Sequence, residues 1–189
     1  MILPAPGPDE VVIGIAVTVP APHAGVLAAA RQASGDPDAA SIAPHVTLVG
    51  PALVAVGDLP LVDEHLTRVA AGHAPFVVHL RGTGSFRPVS PVVFVALARG
   101  IASCEQLERA IRTGPLDVPV RFPYHPHVTV AQDIDEAALD AVEARLAGFD
   151  ETFEVSGIDR YVFDGDGVWR PVRSFALGAA QDVPAARPR

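Results

Sequence analysis

The chain has 189 residues, of which 49 % are apolar and 19 % charged, enough apolar material for one domain-sized core and the wrong balance for a coiled coil or an acidic disordered tail. Its formal charge is −8, which excludes a broad nucleic-acid surface, because tracking many phosphates needs a basic stripe. All 14 basic residues are arginines, which excludes Schiff-base chemistry, a P-loop lysine and a lysine general base.

Met1–Glu10, MILPAPGPDE, has no basic region and no apolar stretch of signal-peptide length. With residues 179–189 it is expected to be a poorly ordered tail. Val11–Val19 is β-branched and reads as a buried strand, too short to cross a bilayer. Pro22–Ser34 reads as a helix, His45–Gly50 as a strand ended by Gly-Pro, and Leu59–Ala71 as a helix that Asp58 could cap. Pro75–Phe86 is the next expected strand.

The series then starts again. Pro91–Ala98 reads as a strand, followed by a helix capped by Ser103 and running to about Thr113. His127–Gln132 is a strand, Asp135–Ala147 a helix, and Glu151–Phe163 a strand joined by an Asp/Gly turn to a last strand, Val168–Leu177. Strand–helix–strand–helix–strand thus occurs twice. Val12 and Val92 are 80 residues apart, His45 and His127 are 82 apart, and Phe76 and Phe153 are 77 apart. An α+β, bilobal domain over 11–178 is expected, with lobes at about 11–86 and 91–178 and antiparallel sheets around a central cleft. The single cysteine, Cys104, excludes an intrachain disulfide, fits a cytoplasmic location, and is expected to be a buried helix residue.

The strongest local signal is a repeated Pro-His-Val-Thr, at Pro44–Thr47 and Pro126–Thr129. Alternation along a strand puts His45 and Thr47 on one face, roughly 7 Å apart, with Val46 and Leu48 on the other. His127 and Thr129 repeat this, against Val128 and Val130. Conserving the packing of a duplicated strand requires only the apolar positions, so a repeated His and Thr on the opposite face has no packing motive. An imidazole titrates near 6.5, so one ring can be neutral while the other is protonated. One then removes a proton from an attacking hydroxyl and the other protonates the leaving oxygen, while threonine hydroxyls hold the phosphoryl oxygens. That chemistry needs neither metal nor cofactor.

At these residues the chain resembles the 2H phosphoesterase superfamily, the two-histidine group of 2′-5′ RNA ligase-like proteins and cyclic nucleotide phosphodiesterases. HVTL at His45–Leu48 and HVTV at His127–Val130 fit its two His-x-Thr/Ser-x motifs, and the likeness extends over roughly Val11–Gly178. Ser85–Leu97 and the terminal FDGDGVWRPVRSFALG also look like family segments. The resemblance implies a bilobal fold without metal, hydrolysis of 2′,3′-cyclic phosphates or related RNA-end and nucleotide phosphodiesters, and 2′-5′ ligation in some members. It implies His45 and His127 as the acid–base pair and Thr47 and Thr129 as phosphate ligands. Ligase-like members often carry an arginine shortly after the second motif, where this chain has Gln132.

Three further residues are candidates for substrate binding: Tyr124, by stacking on a base, and Arg87 and Arg121, by holding a second phosphate. Packing at a lobe seam for Tyr124 and solvated surface positions for the two arginines are the competing readings. His23, His65, His73 and His79 have no partner pattern and are expected in surface or strand-filling roles. His125 and His127, at i and i+2, could ligate a metal, but two ligands make a weak site. The expected partner is a small nucleotide or RNA end, without an extended nucleic-acid surface or a membrane, and a monomer is the expected state. A non-catalytic phosphate-binding module and a metal-dependent enzyme are the competing functions.

Overall fold

The computed structural model describes residues 4–119 and 122–178. The elements in chain order are β1 (Glu10–Thr18), α1 (His23–Ala33), β2 (His45–Ala55), α2 (Leu59–Ala71), β3 (Phe76–Ser85), β4 (Val92–Arg99), α3 (Ile101–Ile111), β5 (His127–Gln132), α4 (Glu136–Leu146), β6 (Asp150–Val155), β7 (Gly157–Phe163) and β8 (Trp169–Ala176). They build two four-stranded antiparallel sheets, in the orders β2-β1-β7-β8 and β5-β4-β3-β6. The α+β architecture with paired antiparallel sheets is as expected. No helix among the described residues is long and apolar enough to cross a membrane.

The sheets do not follow the two halves of the chain. β3, from the first half, pairs with β4 and β6, while β7 returns to pair with β1 and β8 pairs with β7. The run 151–163, expected as one strand, breaks at Ser156 because its halves serve different sheets. Phe153 and Val155 are buried before the break and Ile158 and Arg160 after it, so one buried face shifts from odd to even positions, while Tyr161 is buried at the cavity. β2 also continues past its expected end at Gly50–Pro51. It lies at a sheet edge, where a proline's missing N–H can face away from the ladder.

Helix starts differ in detail. Asp135 caps α4, its carboxylate accepting from the Ala138 N–H at 2.9 Å. Asp58 stands at the N-cap of α2 without a side-chain cap bond, and Ser103 lies inside α3, which starts after Gly100. Gly100 has φ 95°, and a Cβ there would come within 2.9 Å of Val78, so that start requires glycine. Residues 4–9 include a turn in which the Glu10 N–H donates to the Gly7 carbonyl. The tail expected at 179–189 lies outside the described residues.

Two packing relations position the site. The edge strands β2 and β5 face each other where the sheets meet. Each helix that leaves a central strand then crosses to the other sheet's edge, α1 against β5 and α3 against β2. Val46 and Leu48, and Val128 and Val130, are buried, with Cys104, Leu107 and Ile111 of α3 and Leu27 and Ala30 of α1 also in the core. Burial of these apolar residues is the main force holding the seam closed.

Candidate active site

His45, Thr47, His127 and Thr129 all line one cavity of about 260 Å³ between the two sheets. Strand alternation accounts for this. Val46, Leu48, Val128 and Val130 point into the core, so the residues between them point into the cleft, and all four are half-buried. His45 lies opposite Thr18 and Thr47 opposite Ala16 on β1; His127 lies opposite Ala96 and Thr129 opposite Phe94 on β4.

The two rings are anchored alike. His45 Nδ1 lies 2.8 Å from the Ala43 carbonyl, and His127 Nδ1 lies 2.6 Å from the His125 carbonyl. A carbonyl only accepts, so each Nδ1 carries the proton and each neutral ring keeps its lone pair on Nε2. His45 Nε2 accepts from the Thr47 hydroxyl at 3.1 Å. In both motifs a proline separates the anchoring carbonyl from the histidine, and proline confines the residue before it to extended conformations.

Burial pushes the His45 imidazole down to about 4; the Ala43 carbonyl opposes this, and the charge of Arg31 and the His127 ring add to it. His127 is lowered chiefly by burial too, against the pull of the His125 carbonyl. With protein groups alone around them, both rings are neutral near pH 7. An anion placed between them favours protonation of either.

Most of the cavity wall comes from residues outside the two motifs, and further rings pack behind it. Phe86, with its centroid 4.9 Å from that of His127, and Phe94, at 5.2 Å, pack on the second histidine. Gly84 makes room for Phe94, since a Cβ there would lie 2.8 Å from its ring. Tyr161 lies 6.2 Å from His45 between centroids. Trp169 lies over Gly14, where a Cβ would meet its ring at 3.4 Å. Ile42, Val92 and Pro51 complete an apolar side, while Arg31 and Gln132 add polar groups.

The other sequence candidates fall elsewhere. Tyr124 lines an adjoining groove and donates its hydroxyl to the Thr47 carbonyl at 3.0 Å. It braces the seam from the lead-in to β5 across to β2. Arg87 donates to Glu136, Asp140 and Glu143 of α4, at 2.7, 2.8 and 2.7 Å, and is not among the residues lining the cavity. Arg121 lies outside the described residues. His125 is exposed, its ring 6.0 Å from His127, and among the described residues no group of three or more His, Cys, Asp or Glu is placed to hold a metal. His65 is buried against the Ile111 carbonyl, His73 bonds the Val69 carbonyl, and His23 and His79 pair with Glu151 and Asp150.

Comparison with known proteins places this chain in a family. Residues 19–167 match the model of the 2′-5′ RNA ligase superfamily. The chain belongs to that superfamily, and so to the two-histidine phosphoesterases. A protein of Bacillus licheniformis named “Putative phosphoesterase” is 31 % identical over 148 residues, covering 76 % of this chain and 86 % of its own. A protein of the same description from Halalkalibacterium halodurans is 27 % identical over 145 residues, covering 76 % and 84 %. Among solved structures, Escherichia coli LigT complexed with 3′-AMP superposes with a TM-score of 0.69 at 21 % identity, covering 89 % of this chain and 98 % of LigT. A protein of Thermus thermophilus gives 0.61 at 21 % identity, covering 90 % and 100 %. These two likenesses establish the shared fold.

Proposed function

We propose that the protein is a metal-independent phosphodiesterase that opens a 2′,3′-cyclic phosphate on a small nucleotide or an RNA end. One neutral imidazole of the His45–His127 pair takes the proton from the attacking water. The other, protonated beside the bound anion, gives its proton to the departing ribose oxygen as the new P–O bond forms and the old one breaks. Thr47 and Thr129 donate to the non-bridging oxygens and hold phosphorus in line. The observation that carries this reading is the matched anchoring of two rings in one cavity, each Nδ1 tied to a carbonyl so that each Nε2 keeps its lone pair, that of His45 accepting from the Thr47 hydroxyl.

The surroundings support the substrate class. The apolar side made by Phe86, Trp169 and Ile42 suits a nucleobase. LigT, of the same fold, has been crystallised with 3′-AMP, with ATP and with phosphate. One chain supplies both histidines and both threonines, so a monomer suffices. The buried free Cys104 fits a reducing, cytoplasmic setting.

The test is turnover of a 2′,3′-cyclic nucleotide in excess EDTA. The expected result is hydrolysis by the unaltered protein and a loss of about 10² to 10⁴ in kcat for His45→Ala or His127→Ala. Full activity in either variant would overturn the proposal. Nucleotide binding without product would leave a binding module in its place, and 2′-5′ joining of RNA ends in the same assay would identify ligation.

A further inference from the structure

We propose that Arg31 is the charge partner of the substrate phosphate, gripping its non-bridging oxygens from α1 across the cavity from the two histidines. This deepens the phosphodiesterase reading and rests on it for the identity of the ligand.

Arg31 follows Leu27 and Ala30 on the buried side of α1, and its side chain is only 8 % exposed. An arginine so enclosed needs partners for five N–H donors. Asp36 accepts from Nε at 2.8 Å, and among the described residues nothing accepts from either Nη. Those two nitrogens are the fork that matches a phosphate's paired oxygens. The side chain lines the cavity that holds both histidines and both threonines, and among the described residues it is the only arginine to do so.

Asp36 engages Arg31 through Nε alone and is otherwise held by backbone donors. Its side chain is fully buried, and besides Arg31 it accepts from the Asp38 N–H at 2.8 Å and the Gln132 N–H at 3.1 Å. Gln132 is neutral, and its side-chain amide donates to Asp38 at 2.8 Å. The loop after α1 therefore fastens Arg31 against the end of β5, beside the second motif. Since both imidazoles are neutral near pH 7, Arg31 is the fixed positive charge facing an incoming phosphodiester. Its influence on His45 agrees with close approach of the guanidinium to that ring.

The test pairs Arg31→Gln with Asp36→Asn, which removes both charges and keeps a hydrogen bond between the positions. Inorganic phosphate is titrated into the unaltered protein and the double variant by calorimetry, and His45 is titrated by NMR without phosphate. The expected result is phosphate affinity at least tenfold weaker in the double variant and a His45 midpoint shifted upward once the neighbouring cation is gone. Unchanged affinity in the folded variant would overturn the assignment, whatever the turnover. If the double variant does not fold, Arg31→Lys keeps the charge on Asp36 but lacks the fork, and phosphate affinity equal to that of the unaltered protein would overturn it equally. Arg31-dependent phosphate binding in a protein that hydrolyses no phosphodiester would uphold Arg31 and remove the catalytic reading alone.

Discussion

His45 illustrates how a surface-compatible residue acquires a special titration. Its ring is tied through Nδ1 to a carbonyl and enclosed by the seam, and burial holds it near 4. In an unfolded chain the same ring titrates near 6.5. Between those values the unfolded chain binds more protons than the folded one, so stability rises with pH across that interval. His127 is displaced in the same direction. Urea denaturation should therefore show a stability contribution complete above about pH 6.5 and lost as the solution is acidified toward 4, with a shallower loss in His45→Gln. An equal loss in both proteins would contradict the assignment to this ring. The histidines and threonines were legible in the sequence because strand alternation and the preceding proline are local. The place of Arg31 in the cavity was not, since it depends on α1 crossing to β5. Arg87 looked available only because its partners lie some 50 residues on, yet Glu136, Asp140 and Glu143 recur at helical spacing and mark one acidic face of α4.

Elements are held to one another by a few buried charges as well as by apolar packing. Asp63 on α2 accepts from Arg160 of β7 at 2.7 Å and from Arg173 of β8 at 2.7 Å, and the Asp63 and Arg160 side chains are about one-tenth exposed. Removing the carboxylate strands a buried guanidinium. Asp63→Ala should lower unfolding free energy by about 3 to 5 kcal/mol, read by chemical denaturation, whereas a change below about 1 kcal/mol would show that Arg160 finds water or another partner. Helices were readable from their apolar spacing, and the expected bounds of α1, α2 and α4 lie within two residues of the observed ones. The division of 151–163 into two strands was harder to read. Its sign was the change of buried parity between Val155 and Ile158, which matters only once each half is known to serve a different sheet.

The molecule as a whole turns a duplicated order of elements into one cleft by exchanging strands and helices between its halves. Duplication and the two-sheet class were visible in the sequence. The exchange was not, because pairing partners such as β1 with β7 are remote in the chain and hydrophobic pattern does not name them. That exchange brings the edge strands β2 and β5 together, and with them two identical tripeptides 82 residues apart.

The most direct test of that convergence is a crystal structure of the protein soaked with inorganic phosphate. The account predicts one phosphate within hydrogen-bond distance of Nε2 of His45 and His127 and of the Thr47 and Thr129 hydroxyls. A phosphate touching a single histidine, or bound outside the cavity, would contradict it.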